Sequence, residues 1–124
     1  MAASIAPFQK HQRLSTPADF SKVFKTRVRS SDSQFLVLAS ENGLSYSRLG
    51  LAVSKERLRR AISRNRIKRL IRESFRLNVG LLSGLDLVVL PQKNINISNK
   101  QVLRDSLSLH WRTVTGAKAV VKHD

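Results

Sequence analysis

The chain has 124 residues, 41% of them hydrophobic and none of them cysteine, with 23 Lys/Arg against 8 Asp/Glu and a formal net charge of +15. That length supports one compact domain, and the apolar content excludes a disordered basic tail. The missing cysteines exclude a disulfide scaffold, a thiolate zinc site and a cysteine nucleophile, and the charge calls for an acidic partner, of which nucleic acid is the commonest.

Residues 1–13 are polar and mixed and read as a loosely ordered arm without the apolar centre of a signal peptide. Thr16, Pro17 and Asp19 then mark a helix start: a capping hydroxyl, a proline for the first turn and an acid for the positive helix end. This helix should run to about Lys25, placing Phe20 and Phe24 one turn apart beside Val23, the usual spacing of core aromatics. Residues 27–31 fit a short edge strand. Residues 34–40, QFLVLAS, make a better one, with Phe35, Val37 and Ala39 opposite Leu36 and Leu38. After a turn at Asn42 and Gly43, residues 47–54 alternate Leu49, Leu51 and Val53 against Arg48, Gly50 and Ala52. The two strands are expected to form an antiparallel hairpin with one face for a core. Gly50 and Ala52 keep the other face low, for packing or for a close ligand.

Residues 55–76, KERLRRAISRNRIKRLIRESFR, hold ten Lys/Arg and two Glu, a net +8. At 100° per residue Ile67, Leu70, Ile71, Ser74 and Phe75 share one side, while Asn65, Lys68, Arg69, Arg72 and Arg76 share the other. This predicts an amphipathic helix with a core face and a cationic face. An ordinary solvated face mixes acids with bases, but here only Glu73 interrupts, so the cations repel one another unless a polyanion screens them. The pattern predicts a phosphate-binding surface.

The helix should end near residues 78–80, with Gly84 closing the turn. LDLVVL at 85–90, stopped by Pro91, reads as a strand covered on both faces. Ser98 and Gln101 form an expected capping box for a last helix with Leu103, Leu107, Trp111 and Val114 on its apolar side, ahead of a frayed tail from Gly116. The order is α-β-β-β-α-β-α, an α+β sandwich of helices on a sheet. No apolar run approaches the ~20 residues that span a bilayer, so no membrane partner is expected. Catalytic constellations are absent as well: His11, His110 and His123 lie apart, the acids do not cluster, and no phosphate-cradling glycine loop occurs. The expected numbers of catalytic and of metal-ligating protein residues are both zero.

RNRIKRLIR at residues 64–72, after GLAVSK at 50–55, resembles the signature of the bacterial ribonuclease P protein component, and the likeness extends over roughly residues 10–114. The resemblance implies a single domain over 1–124 and the fold of a ribosomal small-subunit protein domain, with a left-handed β-α-β crossover. It also implies a protein subunit of a tRNA 5′-maturation endoribonuclease whose chemistry resides in a catalytic RNA using Mg²⁺. The implied partners are that RNA and precursor tRNA, with no obligate protein partner, in the cytoplasm. Carried over by position, Arg60, Arg64, Asn65, Arg66, Lys68, Arg69 and Arg72 would bind the catalytic RNA. Phe20, Phe24, Leu38 and Lys55 would bind the single-stranded 5′ leader, the phenylalanines by stacking. Many members of the family carry an aromatic where this chain has Leu38. A structural ribosomal protein and a basic duplex-DNA module remain alternatives. The second lacks a helix-turn-helix before the basic helix.

Overall fold

The computed structural model describes residues 10–26 and 28–123. Residues 1–9 of the expected arm, Arg27 and Asp124 lie outside the described residues. The elements follow the predicted order: α1 (Pro17–Phe24), β1 (Val28–Ser31), β2 (Phe35–Glu41), β3 (Arg48–Leu51), α2 (Ala61–Arg76), β4 (Leu85–Pro91) and α3 (Lys100–His123). Capping sets the start of α1, where Asp19 N–H donates to Thr16 Oγ1 at 3.1 Å and Pro17 opens the first turn.

The sheet order β1-β2-β4-β3 corrects the expected pairing of β2 with β3. β4 lies between them, antiparallel to β2 and parallel to β3. Burial explains the choice. β4 carries Leu85, Leu87 and Val89 on one face and Val88 and Leu90 on the other, and only a central strand has both faces covered. β3 is four residues long and contains a glycine, so it loses less at the edge. The antiparallel hairpin is instead β1 with β2. Asn42 and Gly43 still turn the chain, with Gly43 at φ 70 and Leu44 N–H donating to Asn42 Oδ1 at 2.8 Å.

Strand alternation sorts the core into two layers. Phe35, Val37, Ala39, Leu49, Leu87 and Val89 face α2 and α3 and pack with Ile67, Ile71, Phe75, Leu107 and Trp111. The buried Trp111 Nε1–H donates to Ser74 Oγ at 2.9 Å, joining α3 to α2. On the other face Leu38 and Val88 lie under Leu14 and Val23, covered by α1. The chain before α1 is more structured than expected. A 3-10 turn at Lys10–Gln12 leads into a bridge from Arg13 to Leu49, and Leu14 N–H donates to Leu49 O at 2.9 Å. These contacts cover the outer edge of β3, whose backbone groups would otherwise be open.

Three element ends differ from expectation. Residues 55–60 are not helical: the chain turns at 55–57, and Arg60, the residue before α2, is extended at φ −84, ψ 128. The cap of α3 is Asn99, whose Oδ1 accepts Val102 N–H at 3.2 Å. Ser98 bonds to Asn96, and Gln101 donates forward to Asp105. The helix passes Gly116 and continues to His123, where a frayed tail was expected.

Candidate nucleic-acid interface

The core side of α2 is the predicted one, with Ser63, Ile67, Leu70, Ile71, Ser74 and Phe75 buried. Its outer side divides into ridges four residues apart. Asn65, Arg66 and Arg69 are exposed, together with Ile62 at 65% and Glu73. Arg64, Lys68, Arg72 and Arg76 form a parallel row, half-buried, that advances about 6 Å per step, so their stems pack while their charged heads reach outward.

Two cations of that row are engaged within the protein. Arg64 Nη1 donates to the carbonyls of Leu58 and Arg59 at 2.8 and 2.7 Å, bracing the bend that carries Arg59 and Arg60 into α2. Arg76 pairs with Glu73 one turn back. Lys68, Arg69, Arg72 and Arg66 along the helix, Arg60 at its start, and Arg64, whose carbonyl acceptors are neutral, supply the positive charge of this surface. The α2 N-terminus adds to this field. Unlike α1 it has no side-chain cap and no acid in its first turn, so the positive end of the helix dipole is not offset locally.

On the opposite face of the sheet α1 packs over β2 and β4. A Cβ on Gly50 would lie 2.7 Å from Phe20 Cζ and 3.2 Å from Leu14 Cβ, so the Phe20 ring rests directly on the glycine backbone. An ion pair seats the same end of α1. Buried Asp86 accepts from Arg48 Nε at 2.8 Å, Arg48 Nη2 at 2.6 Å and Asn42 Nδ2 at 2.9 Å, and Arg48 Nη1 reaches Asp19 at 3.6 Å. Asp86, the one acid beginning a buried strand, therefore serves as a structural anchor. The far end of α1 presents Phe24, 45% exposed, with its ring 6.4 Å from that of Phe20 and 28° from parallel. Half-buried Leu36, Ala52 and Leu90 continue the apolar floor beyond α1, and exposed Lys55 follows Ala52 by three residues.

Leu38 is a correction. It is 1% exposed, beneath α1 with Val23 and Val88, so it supports the floor without reaching a ligand. Leu36, two residues earlier on the same face, is the apolar β2 side chain that is partly open.

One polar cluster was not visible in the sequence. Asp32, at the β1–β2 turn, accepts from Gln34 N–H and Phe35 N–H, both at 2.9 Å, and from Ser106 Oγ at 2.6 Å. Buried His110 has Nδ1 2.6 Å from Ser30 Oγ, and Nε2 3.1 Å from Asp32 Oδ1 without hydrogen-bond alignment. Burial raises the Asp32 carboxyl, but the bonds from Ser106, Phe35 and Gln34 and the nearby His110 outweigh it and hold the pKa at about 2. The cluster fastens the β1–β2 turn to α3. Among the described residues no three His, Asp or Glu side chains converge as a metal site, and no helix is long and apolar enough to cross a membrane.

A family model described as Ribonuclease P matches residues 8–115. The chain is 45% identical over 108 residues to a ribonuclease P protein component from Methylococcus capsulatus, covering 87% of this chain and 84% of that protein. A ribonuclease P protein component from Pseudomonas putida is 38% identical over 112 residues, with coverage of 90% and 84%. Among solved structures, a Staphylococcus aureus RNase P protein aligns with a TM-score of 0.74 at 28% identity, over 82% of this chain and 93% of that one. The RNase P protein from Thermotoga maritima aligns at 0.69 and 36% identity, over 81% and 96%.

Proposed function

This chain belongs to the ribonuclease P protein family, whose members are the protein component of the tRNA 5′-processing holoenzyme, and from that premise we propose how its two faces divide the work. The α2 face binds the catalytic RNA through Arg60, Arg64, Asn65, Arg66, Lys68, Arg69 and Arg72, with Arg64 also holding the bend before α2. The cleft on the other face receives the single-stranded 5′ leader of precursor tRNA, with Phe20 and Phe24 as stacking surfaces and Lys55 as a phosphate contact. Stacking tolerates any base, which suits a subunit that meets many different leaders.

The observation that carries this reading is the separation of the two surfaces by the sheet. A cationic helix on one side and an open aromatic pair on the other allow one small protein to hold two RNAs at once. The protein's part is binding and orientation, which lowers the barrier by placing the scissile phosphodiester correctly. Mg²⁺ belongs with the RNA on this reading, where it assists hydrolysis of the leader bond. Positive charge between two closely packed RNAs also reduces their mutual repulsion and hence the Mg²⁺ they need.

The test is 5′-leader cleavage of a precursor tRNA by a bacterial catalytic RNA at low Mg²⁺, with and without this protein. The expected result is strong stimulation by the protein and no cleavage by the protein alone. Tight RNA binding without stimulation would move the chain to a purely structural role.

A further inference from the structure

On the cationic outer face of α2, Ile62 is the exception in chemistry. It is 65% exposed, more than any other large hydrophobic residue among those described, and it belongs to neither core layer. We propose that Ile62 and Asn65 form a nucleobase site on α2 that takes one unpaired adenine of the catalytic RNA, while the surrounding arginines hold its backbone. The proposal rests on the α2 reading above and deepens it from phosphate contact to base recognition.

Placement is the first argument. Ile62 and Asn65 are three residues apart on one helix, so their side chains are surface neighbours with Cβ atoms about 5–6 Å apart. Arg66 and Arg69 follow Ile62 on the same side of the helix, and Arg59 and Arg60 precede it, all of them exposed. The apolar patch is therefore ringed by cations. Glu73, the acid of this face, stands about 16 Å further along the helix and is paired with Arg76.

Side-chain chemistry is the second. Neither residue is there for the helix, since β-branched Ile loses rotamer freedom against the preceding turn and the Asn amide competes with backbone groups. The fold gains little in return, because Ile62 stays open to solvent and the Asn65 amide is bonded to no described residue. RNA gives both a use. A base unstacked from its neighbours exposes a flat apolar face, which the Ile62 methyl groups can cover, whereas a phosphate finds nothing there to bond. An amide beside that face matches adenine, donating to N7 and accepting from N6 at once. A paired base keeps its faces in the stack, so the site selects an unpaired nucleotide in a loop or bulge.

The experiment has two parts. Equilibrium titration of the catalytic RNA across monovalent salt compares wild type, Ile62→Ala and Arg69→Ala. Ile62→Ala should lower affinity about five- to tenfold at every salt concentration without changing the log–log slope, whereas Arg69→Ala should change the slope. Ala is the better helix former and position 62 is exposed, so Ile62→Ala should unfold in denaturant no earlier than wild type, which makes the loss one of contact. Ile62→Phe, with a larger apolar face, should retain affinity. In the second part, catalytic RNA carrying 7-deazaadenosine at random positions, which removes N7, is partitioned by binding. Wild type should exclude molecules substituted at one particular unpaired adenine, and Asn65→Ala should bind those as well as the rest. Affinity of Ile62→Ala within twofold of wild type, a flattened slope in that variant, exclusion at no adenine, or an exclusion that persists in Asn65→Ala would overturn the proposal. A wild type with almost no salt dependence would instead overturn the α2 reading itself.

Discussion

The salt dependence of catalytic-RNA binding tests the assignment of the α2 surface residue by residue. From sequence, six Lys/Arg lie within α2 and another at Arg60. The structure offsets one of them, since Arg76 is paired with Glu73, whereas Arg64 donates Nη1 to neutral backbone carbonyls and keeps its charge. Arg60, Arg64, Arg66, Lys68, Arg69 and Arg72 remain. At roughly 0.7 to 0.9 released counterions per phosphate contact, six contacts give a log–log slope near −4.2 to −5.4. The perturbation is Arg69→Ala beside Arg76→Ala, two arginines of one helix with opposite expected results. The assay is equilibrium titration of the labelled RNA with protein at fixed Mg²⁺ while monovalent salt rises from about 50 to 200 mM. Arg69→Ala should make the slope shallower by about 0.7 to 0.9, and Arg76→Ala should leave it nearly unchanged. If both variants flatten it equally, the division of the helix face into engaged and available cations is wrong. A wild-type slope near −1 would mean that the whole stripe is only solvated.

Three further outcomes follow from the packing. Gly50→Ala places a methyl 2.7 Å from the Phe20 ring, which must swing away; the expected cost is about 1 kcal/mol, the low end for overpacking because Phe20 is only half-buried. Leader affinity should fall more than catalytic-RNA affinity, and equal losses in two binding titrations would contradict the seating of Phe20. Ser74→Ala leaves the buried Trp111 Nε1–H without its acceptor and should lower unfolding stability by about 1 to 3 kcal/mol in denaturant titration, with a loss below about 0.5 arguing that the bond is not made. Asp32, held at about 2 against an ordinary 3.8, contributes stability that is full above pH 3.8 and lost as pH falls through about 2. Its side chain is 31% exposed, so the contribution is discounted for screening to about 1 kcal/mol. Unfolding of wild type and Asp32→Asn between about pH 5 and pH 2 should converge toward the acid end; a constant gap would show that the carboxylate is not stabilised.

Much of the architecture was legible in local pattern. The i, i+3, i+4 apolar stripe of α2, the alternation of β2 and the two-sided apolar run of β4 depend on residues a few positions apart, and each element formed near where its pattern stood. The family signature at residues 64–72 was equally local, and with it the function class. Element ends were less legible. Asn99 and Ser98 are both capable caps, and the choice between them lay in the 3.2 Å bond to Val102 N–H and the competing pair of Ser98 with Asn96.

The sequence by itself determined the order of elements, the two faces of the basic helix and the membership of the chain in an RNA-processing family. Tertiary structure decided which strands are neighbours, because a strand with two apolar faces must be central and no local pattern says which strands will flank it. It also decided which polar groups are consumed within the protein. Arg64 bonds to Leu58 and Arg59, Asp32 to Ser106, and Leu38 disappears under α1, and each depends on a side chain's direction in three dimensions. Composition counts charges, but a folded backbone determines where each of them stands and what it touches.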